Sequence, residues 1–332
     1  MKIVYLDEPT FLPEEWHERF RRLGEVEVFD DRPDAETAVQ RLCTSDLAIV
    51  EWTHLPAQVL SRVRRLRYLT LMTTSFDTIN LAAARAAGIT VAHCPTYSSQ
   101  SVAEHVFGLL LAVIRRLRAA DVAVRRGVSH CYGPFLGMEL AGRTIGLLGT
   151  GRIARAVARV AAGFGMRVAA TNRTGGPVAG MRVVPLDDLL HCSDVLSLHV
   201  PLDRSTRGLL DGDRLARLRP GAIVINTCRA DLVDQVALAA MLADGRLGGA
   251  GLDDLAEPAA ADIRTLENVV LTPGTAWYTD AARVANLVEA YDNLASFLAG
   301  RPINVLAYGC TDREARGESR VVVRHPPTGW GE

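Results

Sequence analysis

Two hydrophobic periods take turns along the first 95 residues. Short apolar runs rich in β-branched residues lie at Lys2–Asp7, Glu25–Phe29, Leu47–Trp52, Tyr68–Met72 and Thr90–Ala92, as expected for strands. Between them, Pro13–Leu23, Ala35–Cys43, Ala57–Val63 and Leu81–Ala87 carry apolar residues at helical spacing. This βαβα rhythm predicts a small parallel sheet with helices on both faces. Such sheets take ligands outside the carboxyl ends of their strands, which singles out the loops 51–54 and 73–77.

The character changes at Ser101–Leu117, a long and mostly apolar helix, and a domain boundary is placed just before it, near Ser99. Further strands are expected at Thr144–Leu148, Met166–Thr171, Val183–Val184, Val195–His199, Ile223–Asn226, Gly249–Leu252 and Val269–Leu271. A helix over Asp280–Ala299 is assigned to the first domain. The expected fold is α/β, with two doubly wound parallel-sheet domains: residues 1–98 with 280–308, and residues 99–279. The arginine-, glycine- and proline-rich tail, 309–332, reads as mobile or as an oligomer arm.

The second domain is organised around Thr144-Ile-Gly-Leu-Leu-Gly149-Thr-Gly151-Arg152-Ile153-Ala154. A buried strand runs into a glycine turn of the form GxGxxA and then into a helix over Arg152–Phe164. Gly149 permits the turn, Gly151 lets backbone approach a pyrophosphate, and Ala154 lets helix and strand pack closely. The free N–H groups at the helix start suit phosphate. Alone the motif is weak; with a second strand at the right distance it points to a dinucleotide. That strand ends in Asn172-Arg173-Thr174, where an NAD-selective site would place Asp or Glu on the ribose hydroxyls. Asn172 removes a charge that would repel a 2′-phosphate and Arg173 can pair with one, so NADP(H) is favoured, with NAD(H) possible.

Composition narrows the partners. A net charge of −1 gives no broad electrostatic case for nucleic acid or an anionic membrane. The longest apolar stretch, Val106–Ile114, is too short to span a bilayer. Lys2 is the only lysine among 37 basic residues and opens the first strand, which argues against a lysine Schiff base or a Walker lysine. The six cysteines show no metal-ligand spacing and no metal is expected; free thiols in a reducing cytoplasm are the natural reading.

Several stretches in order resemble one family over about residues 40–305. These are Asp77-Thr-Ile-Asn-Leu-Ala-Ala-Ala-Arg-Ala-Ala-Gly-Ile-Thr-Val91, Pro95-Thr-Tyr97-Ser-Ser-Gln-Ser-Val-Ala-Glu-His105, Leu198-His199-Val-Pro201-Leu202, Pro220–Arg229, Asp231–Asp234, Gly249–Asp253 and Glu257-Pro258. They are similar to the D-2-hydroxyacid dehydrogenases, which include glycerate, phosphoglycerate, hydroxypyruvate and D-lactate enzymes. The resemblance implies a Rossmann cofactor domain inserted in a flavodoxin-like substrate domain, an active site in the cleft, a small-molecule carboxylate as substrate, and a homodimer. It implies that Arg229 binds the substrate carboxylate, for which a planar guanidinium is suited, and that Glu257 orients a catalytic histidine. It further implies cofactor contacts from Thr74, His199, Pro201, Thr206, Thr227, Cys228, Asp253 and Gly274, and substrate contacts from Ser75, Phe76 and Trp277.

The sequence departs from the family after Asn268-Val-Val-Leu-Thr-Pro273, where the family has its histidine and this chain has Gly274. Ala276-Trp277-Tyr278 is kept, in a form resembling the C-terminal binding protein branch of NAD(H)-binding corepressors. The stretch from Asp253 to Glu257 is one residue shorter than usual. Replacement proton donors are sought in Tyr97, Tyr278 and His54. The expectation is an NAD(P)H-dependent reductase of a 2-oxo acid, or of a related carboxylate-bearing carbonyl or imine, with a non-standard proton donor. The alternative is a catalytically silent, dinucleotide-sensing corepressor-like protein.

Overall fold

The computed structural model describes residues 1–309, within which the side chain of Ala260 is left out. The remainder of the tail, where a mobile segment or oligomer arm is expected, lies outside the described residues. The described residues divide into two compact units, 1–98 with 279–309, and Ser99–Tyr278.

The first unit opens with β1 (Lys2–Tyr5), α1 (Glu14–Arg21), β2 (Glu25–Val28), α2 (Ala35–Cys43), β3 (Leu47–Val50), α3 (Ala57–Leu60), β4 (Tyr68–Leu71), α4 (Leu81–Ala86) and β5 (Thr90–His93). β3 and β4 are buried at every residue, because helices cover both faces of the sheet. Asp34 and Asn80 start α2 and α4 by accepting the N–H of Thr37 and Ala83.

The second unit holds α5 (Ser99–Ile114), α6 (Leu117–Arg125), β6 (Thr144–Leu148), α7 (Arg152–Gly163), β7 (Arg167–Thr171), β8 (Arg182–Val183) and α8 (Leu186–Cys192). It continues with β9 (Val195–Leu198), α9 (Gly212–Ala216), β10 (Ile223–Asn226), α10 (Gln235–Ala243), β11 (Gly249–Leu252), α11 (Ala260–Ile263) and β12 (Val269–Leu271). These strands form a seven-stranded parallel sheet in the order β12-β11-β10-β9-β6-β7-β8. The apolar α5 lies directly on it. A Cβ added at Gly251 of β11 would stand 2.8 Å from Leu109 and one at Gly249 2.5 Å from Val113, so side chains there would push the helix away.

The chain then returns to the first unit through α12 (Asp280–Leu298), which packs on β4 and β5, and β13 (Val305–Ala307). That sheet is ordered β13-β5-β4-β3-β1-β2. β13 pairs antiparallel to β5, so this sheet is not wholly parallel as the alternation suggested. The expected α/β class with two parallel-sheet domains otherwise holds.

Candidate active site

Strand register builds the site of the second unit. Leu148 pairs with Leu198, Leu198 with Asn226, Asn226 with Leu252, and Leu252 with Leu271. The next residue of each strand, Gly149, His199, Thr227, Asp253 and Thr272, therefore leaves the sheet in one row along its carboxyl edge.

At Gly149 the backbone has φ +109°, and a Cβ there would lie 2.4 Å from the carbonyl oxygen of His199. Only glycine fits. A Cβ at Gly151 would meet nothing within 4 Å, so the space before the helix is open. No side chain caps the start of α7, leaving the N–H groups around Arg152 and Ile153 available to an anion. Ala154 is fully buried against the sheet. Further along the row, His199 Nδ1 and Thr227 Oγ1 are shut away from solvent without a partner. Buried polar atoms of this kind are rare, and two adjacent ones at the strand ends fit a site that takes a polar ligand. These features together suit a dinucleotide, with its pyrophosphate at the Gly149–Ile153 turn.

Other expected cofactor residues have structural work of their own. Asn172 donates to Thr150 Oγ1 (3.3 Å) and to the Gly176 carbonyl (3.1 Å), and its Oδ1 accepts from the N–H and hydroxyl of Thr174. The amide is thus filled by the turn it closes, and its contribution is the absence of charge. Thr206 is buried and donates to the Pro201 carbonyl (2.7 Å), so its hydroxyl braces the loop on which exposed Pro201 stands. Cys228 turns its thiol to the Leu198 carbonyl (3.2 Å), and burial pushes its pKa up to about 12, leaving only backbone to offer a ligand. Burial holds His199 at about 3, hence neutral, with Nε2 2.9 Å from Ser197 Oγ.

Arg229 follows β10 on a clamped backbone. The Asn226 amide donates to the Arg229 carbonyl (3.0 Å) and its Oδ1 accepts from Cys228 N–H (2.9 Å). Asp254 accepts from Ala230 N–H (2.8 Å), and Gln235 ties Asp254 and Ala256 together. Neither Asp254 nor Gln235 stood out in the sequence, because a backbone acceptor carries no motif.

Two expectations change at the far end of the row. Asp253 was expected at the nicotinamide, but its carboxylate accepts from Thr275 N–H, Ala276 N–H (both 2.9 Å) and the Thr272 hydroxyl. It is the acid that shapes the 272–276 turn, with His105 Nε2 3.7 Å away and 3.0 Å from Thr272 Oγ1. Glu257 was expected to orient a histidine, yet it is an exposed side chain paired with Arg264 at 3.0 Å. Gly274 itself has φ +75° and donates to the Asp253 carbonyl at 2.7 Å. Trp277 and Tyr278 stack edge to face beside it in sequence, 5.2 Å apart.

In the first unit, Thr74 donates its hydroxyl to the Cys94 carbonyl (3.1 Å), which ties the end of β5 to the 73–77 loop. Ser75 and Phe76 are half-buried on that loop, and Phe76 meets His93 edge-on. His54 is exposed. Burial raises the Tyr97 phenol well above its ordinary pKa, which makes it a poorer proton donor than expected.

Residues 107–276 match the model of the D-isomer specific 2-hydroxyacid dehydrogenase NAD-binding domain. The chain belongs to the D-2-hydroxyacid dehydrogenase family. Among its relatives is a glycerate dehydrogenase of Methylorubrum extorquens, 32% identical over 92% of this chain and 98% of that one. A glyoxylate reductase of Thermococcus onnurineus is 35% identical over 87% of this chain and 91% of that one. Of solved structures, an acyclic imino acid reductase (Bsp5) in complex with NADPH and D-Arg superposes with a TM-score of 0.91. It is 44% identical and covers 92% of this chain and 100% of its own. The D-lactate dehydrogenase of Aquifex aeolicus with NAD and lactic acid gives 0.81 at 28% identity, covering 91% and 96%. The D-2-hydroxyacid dehydrogenase assignment carries with it an enzyme using a nicotinamide dinucleotide, and does not favour the corepressor alternative. Among the described residues no helix is long and apolar enough to cross a membrane, and no cluster of His, Cys, Asp or Glu could hold a metal.

Proposed function

We propose that this D-2-hydroxyacid dehydrogenase homologue reduces the C=N bond of a 2-imino acid, using NADPH, to give an amino acid. The carrying observation is the 272–276 turn, Thr-Pro-Gly-Thr-Ala, which presents no imidazole, carboxylic acid or amine at the position where the family has its histidine. A ketone needs a hydride at carbon and a proton at oxygen, and losing a positioned acid lowers such a rate by roughly 10²–10⁴-fold. A protonated imine already carries its proton on nitrogen. Hydride addition to the C=N carbon moves the π pair onto nitrogen and yields the neutral amine, which later takes a proton from water. The similar imino acid reductase supports the same reading.

The bound nicotinamide supplies the hydride. The chain holds the pyrophosphate on the N–H groups of the Gly149–Ile153 turn and grips the substrate carboxylate with Arg229, whose backbone is fixed by Asn226 and Asp254. NADPH is preferred because β7 ends without an acid and because Arg173 follows at its end, a cation able to pair with a 2′-phosphate. Asp203 opposes this: burial raises its carboxyl, but hydrogen bonds from Ser205 and then the nearby Arg173 charge outweigh burial and leave it below its usual value. A homodimer in the cytoplasm completes the reading. Support comes from the apolar side chains exposed on and after α6 (Leu117, Val124, Tyr132, Leu136) and from the unpaired state of the described cysteines. The test is NADPH oxidation with a panel of 2-oxo acids at rising ammonium concentration and mildly alkaline pH. The rate should climb with ammonium from a low baseline. An ammonium-independent rate would refute imine reduction.

A further inference from the structure

The strands that flank the glycine turn of the second unit lead to opposite charges. β6 lies between β7 and β9 in the sheet, with Leu148 in register with both Thr171 and Leu198. Arg173 comes shortly after β7 and Asp203 on the loop after β9, so the segments that hold them border the Gly149–Ile153 turn on either side. Asp203 is half-buried and fixed by its own loop. Its Oδ1 accepts from Ser205 N–H (2.7 Å), the Ser205 hydroxyl (2.6 Å) and Thr206 N–H (3.1 Å), and its N–H donates to the buried Thr206 hydroxyl (2.8 Å). Its Oδ2 has no hydrogen bond among the described residues. Burial raises the Asp203 carboxyl, and the Ser205 hydrogen bonds and then the Arg173 charge bring it below its usual value. Acid and arginine are thus neighbours, yet no ion pair joins them among the described residues.

We propose that Asp203 reads the adenosine ribose, its open Oδ2 accepting the 2′-hydroxyl of NADH, the part that an acid at the end of β7 plays in NAD-selective sites. The inference rests on the dinucleotide reading of this unit and is independent of which cofactor binds better. The β7 side has no acceptor to give: Asn172 Oδ1 already takes the N–H and hydroxyl of Thr174, and Thr174 Oγ1 takes Gly176 N–H. Across the turn, the Oδ1 bonds hold the Asp203 carboxylate in place before any cofactor arrives, which lowers the cost of ordering it on binding. The 203–206 turn itself does not need the charge, because asparagine closes the same kind of turn with a neutral oxygen. One site therefore keeps a contact for each cofactor: Arg173 for the 2′-phosphate of NADPH, Asp203 for the bare hydroxyl of NADH.

The test is fluorescence titration with NADH, NADPH and NADH lacking the adenosine 2′-hydroxyl. In the unmutated protein, removal of that hydroxyl should weaken binding roughly tenfold, as loss of a hydrogen bond to a charged group does. Asp203→Asn should weaken NADH by a similar factor, tighten NADPH, and shrink the penalty for the missing hydroxyl. The loss of NADH affinity should persist when Arg173→Ala is added, which separates a contact with the ribose from an effect passed through the arginine. Thermal unfolding of each variant verifies that the 203–206 turn is intact. No penalty for the missing hydroxyl in the unmutated protein, or an unchanged NADH affinity in Asp203→Asn, would leave the acid a mere opposing charge and overturn the proposal. NADH binding as tightly as NADPH in the unmutated protein would refute the NADPH preference and leave the Asp203 assignment standing, so the two failures are told apart.

Discussion

Gly274→His restores the family's residue, and the structure gives its consequences in two parts. The backbone there has φ +75°, a left-handed conformation that costs an L-residue roughly 1–2 kcal/mol. Space does not add to this, since the nearest atom to an added Cβ, the Asp253 carbonyl oxygen, is 3.9 Å away. A loss of that size should lower Tm by roughly 2–8 °C in a domain of this size. Gly274→Ala should show the same drop, because it carries the same backbone strain without an imidazole. The chemical part separates the two variants. If the substrate arrives as a protonated imine, an added general acid has no proton to deliver, and single-turnover NADPH oxidation with the imine should be no faster in Gly274→His than in Gly274→Ala. Reduction of 2-oxo acids should improve by less than the roughly 10²–10⁴-fold that a positioned acid can give, because Glu257 is paired with Arg264 and does not orient the ring. A tenfold or greater gain in imine reduction by Gly274→His over Gly274→Ala would refute the reasoning.

Arg229→Lys keeps the charge and loses the planar fork, so it should stay folded and bind NADPH but raise KM for the carboxylate substrate by tenfold or more; normal KM in steady-state kinetics would place the carboxylate elsewhere. Arg173→Ala should lower the NADPH-to-NADH affinity ratio, and Asp203→Asn, which removes the opposing charge, should raise it; fluorescence titration with both cofactors checks the two signs. His199 is neutral in the fold, with its pKa near 3 against about 6.5 in the unfolded chain. Its effect on stability is nil above pH 6.5 and grows as pH falls, because only the unfolded state takes up the proton. That removes about 2 kcal/mol by pH 5. Urea unfolding at pH 7.5 and pH 5 should show this loss in the unmutated protein and a smaller one in His199→Gln, and equal losses would count against a buried neutral ring.

Most strands and helices were legible because parallel strands covered on both faces are continuous apolar runs, as Leu47–Val50 and Val195–Leu198 are. β13 was not, since Val305–Ala307 is three half-buried residues whose pairing depends on β5, far away in sequence. The glycine turn was legible for a physical reason: Gly149 is the position where a side chain would strike the His199 carbonyl. Side chains whose partners are set by three-dimensional competition were not legible in the same way. Asp253 looks free in a motif but is consumed by the 272–276 turn, and Glu257 looks catalytic but reaches Arg264.

The central claim is that the hydride goes to a carbon doubly bonded to nitrogen. Its most direct test is product identity after incubation with NADPH deuterated at the transferable C4 position, a panel of 2-oxo acids, and ammonium. Mass spectrometry and chiral chromatography should find a single amino acid enantiomer bearing one deuterium at its α-carbon. A deuterated 2-hydroxy acid as the sole product would contradict the account.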